Sequence, residues 1–204
     1  SNYSQATLKG GDGDDNLVAY NARSVDLFGE GGKDTVYISF DTNSSQNTDG
    51  NVSLSKRYLV DGGADDDSLS VIGYAYTSGG QVTVTMRGGF GNDKLTLADN
   101  YAGRNIYGYV SGISQATLDG GDGDDEISVA GVFQAALTGG AGVDTFKLMA
   151  QQYGMLLDGP KVITTDGGPV TANVDPLVIA DFASGTGGDV LDYSDLLSYA
   201  TTNY

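Results

Sequence analysis

The sequence predicts an all-β protein. Its architecture would be a parallel β-roll or β-solenoid with one row of glycine-rich turns, loop insertions on the opposite edge and a short C-terminal capping segment. Three observations carry that prediction. A Gly-Gly-x-Gly-x-Asp-x-apolar unit recurs, apolar and polar residues alternate on both flanks of each copy, and one fourteen-residue block is repeated almost intact. Residues 4–17 read SQATLKGGDGDDNL and residues 114–127 read SQATLDGGDGDDEI, so eleven of fourteen positions agree at an offset of 110. Each block is followed nineteen residues later by another glycine-rich turn, at Gly29 and Gly139.

In chain order the unit is GGDGDDNL (10–17), GEGGKDTV (29–36), GGADDDSL (62–69), GGFGNDKL (88–95), GGDGDDEI (120–127) and GGAGVDTF (139–146). The second copy carries Glu30 at the second glycine, and the third carries Asp65 at the last glycine. A weaker candidate, SGTGGDVL (184–191), lacks the first glycine but keeps Asp189 and Leu191; another, GGPVTANV (167–174), has Ala172 in place of the aspartate and reads as a turn that binds nothing. Two residues before each first glycine stands an apolar residue: Leu8, Leu27, Val60, Met86, Leu118 and Leu137. Two residues after each aspartate stand Leu17, Val36, Leu69, Leu95, Ile127 and Phe146. Period-two patterning on both sides of a turn means strand, turn, strand with one buried face.

A hairpin meander would satisfy that local pattern too. Recurrence of one turn with the same flanks favours stacked coils instead, because a single unit cannot bury its own apolar stripe and stacking makes the stripes continuous. First-glycine spacings of 19, 33, 26, 32 and 19 residues suit a coil of about nineteen residues plus insertions. The polar stretch from Asp41 to Asn51 and the Tyr-rich stretch from Asn100 to Gly112 are the insertions, both placed to project from the opposite edge. The chain divides into a repeat region, 1–147, and a region of degenerate turns and C-terminal cap, 148–204, in which Ser194–Leu197 reads as a short capping helix.

Composition excludes several functions. The 204 residues contain no His and no Cys, which rules out a Ser-His-Asp triad, a Cys nucleophile, a structural zinc site and a disulfide scaffold. A net charge of −17 opposes nucleic-acid phosphates and anionic membrane surfaces. No apolar run approaches a membrane span of about 18 residues, and SNYSQATLKG does not read as a signal peptide. Of the 27 acidic residues 25 are Asp, beside 32 Gly, a turn-building composition. High charge and glycine content also suit disorder, but 39% apolar residues at regular spacing argue for a core.

The turn chemistry points to calcium. Glycines permit positive φ and bring backbone carbonyls toward a common point. Calcium takes six to eight oxygens at about 2.3–2.6 Å, more than one turn supplies but within reach of two stacked turns. The expected side-chain ligands are Asp15, Asp34, Asp67, Asp93, Asp125 and Asp144, with Asp189 as a weaker addition. Carbonyl donors are expected from Gly10, Gly11, Asp12, Gly13, Asp14; Gly29, Glu30, Gly31, Gly32, Lys33; Gly62, Gly63, Ala64, Asp65, Asp66; Gly88, Gly89, Phe90, Gly91, Asn92; Gly120, Gly121, Asp122, Gly123, Asp124; and Gly139, Gly140, Ala141, Gly142, Val143. The extra carboxylates Asp12, Asp14, Asp65, Asp66, Asp122 and Asp124 are expected to be solvated, with only their carbonyls available. Six turns define five gaps, hence about five Ca²⁺ ions, with a sixth if Asp189 stacks on the last turn; five would move the formal charge from −17 to −7. Because such sites do not exist in the unfolded chain, ion binding would drive folding.

The unit resembles the calcium-binding nonapeptide of RTX (repeats-in-toxin) proteins, over residues 8–147. Residues 178–197, VIADFASGTGGDVLDYSDLL, resemble the segment that follows RTX repeats in type I-secreted proteins, through Asp181, Phe182, Asp189, Asp192, Ser194 and Leu196. The resemblance implies a secreted, calcium-folded β-roll of a large extracellular adhesin or surface-layer protein, unfolded during export and folded in extracellular calcium. Two departures matter. The units here are not contiguous, which favours a single calcium row, and the end at Tyr204 reads as part of a longer protein. A non-enzymatic role is expected, with calcium, neighbouring domains and an extracellular polysaccharide as partners. The competing reading is an accessory carbohydrate-binding or catalytic β-helix module of a polysaccharide-modifying enzyme. Tyr101, Tyr107 and Tyr109 would then stack on sugar, and Lys56, Arg57 and Arg104 would be candidate catalytic cations.

Overall fold

The structure is a computed structural model, and it describes residues 5–41, 55–74, 81–99, 103–104, 110–111, 113–149, 161–165, 168–172 and 177–203. It is all-β, as the alternating pattern predicts. Odd and even strands separate into two seven-stranded parallel sheets. The first contains β1 (Ala6–Asp12), β3 (Ser24–Gly31), β5 (Lys56–Ala64), β7 (Val82–Phe90), β11 (Gln115–Asp122), β13 (Ala135–Ala141) and β17 (Val178–Ile179), in that order. The second contains β2 (Asn16–Tyr20), β4 (Thr35–Asp41), β6 (Ser68–Tyr74), β8 (Lys94–Asp99), β12 (Glu126–Ala130), β14 (Thr145–Leu148) and β18 (Val190–Asp192). Two small antiparallel pairs stand outside these sheets: β9 (Gly103–Arg104) with β10 (Val110–Ser111), and β15 (Lys161–Thr165) with β16 (Gly168–Ala172).

Register follows the repeat. The residues two before the first glycines pair as one column, Leu8↔Leu27↔Val60↔Met86↔Leu118↔Leu137, which Ile179 extends. The residues two after the aspartates form the second column, Leu17↔Val36↔Leu69↔Leu95↔Ile127↔Phe146, which Leu191 extends. Leu27, Val60, Met86, Leu118 and Leu137 are fully buried, as are Val36, Leu69, Leu95, Ile127 and Phe146, and all belong to one apolar cluster. Each such side chain contributes about 1.5–3 kcal/mol by leaving water. Parallel sheets are usually covered on both faces and read as continuous apolar runs. Here burial alternates along the strands, so one face of each sheet forms the core and the other meets solvent.

The connections are of two kinds. From each of the first six strands of the first sheet to the next strand of the second the chain needs three residues, ending on the motif aspartate at Asp15, Asp34, Asp67, Asp93, Asp125 or Asp144. From even to odd strands the connection ranges from three residues (21–23) to twenty-nine (149–177). Both predicted insertions belong to even-to-odd connections, β4 to β5 and β8 to β11. All of residues 42–54 and most of 100–112, including Tyr101, Tyr107 and Tyr109, lie outside the described residues. The segment 167–174 departs from expectation: residues 168–172 form β16 of an antiparallel pair rather than a turn of the stack. With Ala172 in place of the motif aspartate, this stretch pairs with Lys161–Thr165 instead.

The predicted capping helix is longer than the sequence suggested. Helix α1 covers Ser194–Asn203, and Leu196 joins the apolar cluster of the two sheets. Asp192 starts it: its carboxylate accepts hydrogen bonds from the Ser194 amide (2.9 Å) and hydroxyl (2.6 Å). The segment 177–203 thus continues both sheets by one strand and then covers their end.

Close stacking restricts the turn glycines. At Gly121 φ is +113°, and a Cβ there would overlap the Gly89 carbonyl of the preceding coil, whereas a Cβ at Gly31 would meet nothing within 4 Å. Gly121→Ala should therefore lower stability by about 1–3 kcal/mol or more in denaturant unfolding, and Gly31→Ala should be close to neutral.

Candidate metal centre

The six glycine turns lie one above another at the junction between the two sheets. Their second and fourth positions take positive φ in every copy. Where the sequence departs from glycine the backbone does not follow: Glu30 holds φ 80° and Asp65 holds φ 77°. The degenerate copies therefore keep the turn geometry at a local cost that L-residues normally avoid.

The first glycine has a different reason. A Cβ on it would run into the carboxylate of its own turn's aspartate and the first-glycine carbonyl of the next turn. At Gly10 that hypothetical atom would be 2.7 Å from both Asp15 Oδ2 and Gly29 O. The same overlap recurs at Gly29, Gly62, Gly88 and Gly120 with Asp34, Asp67, Asp93 and Asp125 and the carbonyls of Gly62, Gly88, Gly120 and Gly139. Each turn thus brings one carboxylate oxygen and one carbonyl oxygen of its neighbour to the same bare Cα.

The motif aspartates form a directional ladder. The amide of Asp15 donates to Asp34 Oδ1 (2.8 Å), Asp34 to Asp67 (2.7 Å), Asp67 to Asp93 (2.7 Å), Asp93 to Asp125 (2.7 Å) and Asp125 to Asp144 (3.0 Å). Asp144 continues it to Asp189 Oδ1 at 3.0 Å, so the weak seventh candidate stacks in line. Asp34, Asp67, Asp93, Asp125 and Asp144 are buried, whereas Asp15 and Asp189, at the two ends, are partly exposed. One oxygen of each interior carboxylate is thereby used. The other is not: Oδ2 of Asp34, Asp67, Asp93 and Asp125 is buried with no hydrogen-bond partner.

A second ladder was not legible in the sequence. Asp14, Asp66, Asn92 and Asp124, at the fifth position of their turns, accept the amides of Lys33 (2.9 Å), Asn92 (2.9 Å), Asp124 (2.8 Å) and Val143 (2.8 Å) on the neighbouring turn. It runs opposite in sense to the inner one, and its carboxylates are more than solvated charge. The signal for it was a side-chain oxygen at position five in four of six copies. Asp12, Asp65 and Asp122 are exposed, as expected. Asp181 was also missed as a structural group: its two oxygens accept the amides of Gly139 (3.0 Å) and Gly140 (2.8 Å), closing the last glycine turn.

Burial disfavours the ionised form of these carboxylates and raises their pKa, to about 7 for Asp67 and about 6 for Asp125, with Asp93 and Asp144 shifted the same way. Neighbouring aspartates of the row add repulsion, while the accepted amide pulls in the other direction. Such orphaned, buried acceptors fit a hard cation that prefers oxygen. Among the described residues no three acidic side chains gather where they could hold an ion by themselves. A cation between the turns would take most of its ligands from backbone carbonyls, with the motif aspartates adding one free oxygen each.

No family model, curated protein or solved structure matches this chain.

The raised pKa values carry a pH dependence with a definite sign. In the folded, metal-free chain these aspartates hold protons that the unfolded chain releases near pH 4, so their contribution is complete below that value. It is lost as pH rises through the folded values, between about 4 and 7. With chelator present the thermal midpoint should fall across that window. Asp67→Asn, which keeps the acceptor for the Asp34 amide, should flatten the slope.

Proposed function

We propose that this chain is a calcium-binding structural module. It would be an RTX-type β-roll in which the two parallel sheets are the walls of a single solenoid with one row of ions along the glycine-turn edge. The observation that carries the reading is the file of buried Oδ2 atoms on Asp34, Asp67, Asp93 and Asp125, each without a partner and each beside a carbonyl of the next turn. A buried unpaired carboxylate oxygen is costly, and no Lys or Arg side chain pairs with any of these four among the described residues. A divalent cation offsets that cost and the repulsion along the row.

On this reading the cation contributes shape rather than reactivity. It supplies charge neutralisation and a coordination point shared by two turns. The residues do the rest: Asp carboxylates and first-glycine carbonyls face the gap, second and fourth positions turn the backbone, and the inner ladder keeps each carboxylate in place. The reading includes export of an unfolded chain, folding in extracellular calcium at Kd values of about 10⁻⁴–10⁻³ M, and a place in a large adhesin or surface-layer protein. No catalytic role is part of it.

Calorimetric titration should count about five ions, one for each gap between the six turns. Each independent site should add about 1.4–2.7 kcal/mol of stability at roughly 10 mM calcium. Asp93→Asn keeps the acceptor of the Asp67 amide and removes the free oxygen, so it should lose one to two ions and part of that stabilisation. Asp122→Ala, at an exposed side chain, should not. Identical melting with and without chelator would end this proposal.

A further inference from the structure

Neighbouring coils are joined on the turn side by the same pair of hydrogen bonds, and both go to one residue. The motif aspartate of one turn donates its amide to Oδ1 of the next motif aspartate. Its carbonyl accepts the amide of the residue that follows that aspartate. Asp93, for example, donates to Asp125 Oδ1 at 2.7 Å and accepts from the Glu126 amide at 2.8 Å. The same two bonds join Asp15 to Asp34 and Thr35, Asp34 to Asp67 and Ser68, and Asp67 to Asp93 and Lys94. They also join Asp125 to Asp144 and Thr145, and Asp144 to Asp189 and Val190. A carboxylate and the amide after it thus form a clamp on the backbone of the preceding coil.

One such clamp faces no described coil. β1 and β2 are end strands of their sheets, so Asp15 Oδ1 and the Asn16 amide have no described turn before them. That end nevertheless carries the glycines of an interior coil. A Cβ on Gly121 or Gly123 would strike the Gly89 or Gly91 carbonyl of the preceding coil. One on Gly11 or Gly13, their equivalents at the 110-residue offset, would meet nothing within 4 Å. Leu8 is left 36% exposed at the same end, and Lys9 is engaged with Glu30 of the following coil.

We propose that this end of the stack is a docking face for a further coil of the same repeat chemistry, a strand, glycine turn and strand laid parallel to β1 and β2. Asp15 Oδ1 would accept the amide of the incoming turn's last residue, and the Asn16 amide would donate to its carbonyl. Strand edges recruit partners through such main-chain bonds, and here the clamp fixes which residue enters. The far end of a second copy does not fit. There the Asp189 amide is already given to the Ala183 carbonyl at 2.7 Å, and α1 lays Leu196 on the core. Two copies joined by their β1–β2 ends would oppose carboxylate to carboxylate. The clamp consists of backbone bonds and Oδ1, so the proposal does not depend on calcium.

The test puts a copy of residues 115–133 in place of residues 1–4. That segment natively runs into Gln134-Ala135-Ala136-Leu137 and would here run into Gln5-Ala6-Thr7-Leu8, which keeps the register. Amide hydrogen exchange by NMR at saturating calcium reads the clamp. Exchange at Asn16, measured relative to Glu126, should slow by about tenfold or more on extension. A copy carrying Asp125→Pro lacks the N–H that Asp15 would accept and should lose that protection. If the extended chain does not fold by circular dichroism, a second copy of residues 5–23 in the same place should give the same protection. A folded extended chain whose Asn16 exchanges as before overturns the proposal, as does equal protection from the proline copy. Failure of both extensions to fold overturns it too, since an added coil would then disrupt the stack. So does an unextended chain that sediments as a dimer with Asn16 already protected, which would give the face to a second copy. Protection gained without an added ion would uphold the face and reject only the calcium reading.

Discussion

Parallel stacking of identical turns puts the same residue of every coil in one line, about 4.8 Å from its neighbours. When that residue is aspartate the line becomes a row of buried like charges, and much of the molecule answers to that row. Glycine stands at the first position because a Cβ would collide with the carboxylate and with the next carbonyl. Each carboxylate is held by the amide of the turn before it, which fixes its orientation and leaves the second oxygen aimed into the stack. Desolvation then works against ionisation, and each coil added to the stack adds repulsion. On the proposed reading, compaction and cation binding are one event, since neither the gap nor its oxygens exist in a separated coil.

The two ends of the stack are unequal. At the C-terminal end Asp181 takes the amides of the last glycine turn, Asp189 takes that of Asp144, and α1 lays Leu196 on the core. At the other end Leu8 is 36% exposed, while its column equivalents Leu27 and Leu118 are at 0%. Both outer strands there, β1 and β2, are sheet edges. Lys9 stands on that edge and pairs with Glu30, a charge placed where strand-to-strand association would otherwise be favoured.

The two edges also differ in what they tolerate. Three-residue connections on the turn side admit no length variation, because each must deliver an aspartate into the ladder. The opposite edge carries connections of three to twenty-nine residues, and there the chain collects side chains unrelated to the repeat. Arg23 lies beside Lys56 and Arg57 on that side through the pairing of β3 with β5.

Much of this was determined by local sequence. Period-two flanks, recurrent glycine turns and invariant spacing of the aspartates define the strands, their buried faces and the pairing of Leu27 with Val60 or Leu95 with Ile127, because a one-residue slip would expose every apolar side chain. The antiparallel pairing of 168–172, the second ladder through Asp14, Asp66, Asn92 and Asp124, and the closure by Asp181 were decided by tertiary structure. For the second ladder and Asp181 the partners lie 19 to 42 residues away and depend on which amides the stack leaves unfilled. The positive φ of Glu30 and Asp65 belongs to the same class, since stacking imposes a conformation those residues would not choose alone. Periodicity specifies which face of a residue is buried; only assembly of the coils specifies which of its oxygens still lacks a partner.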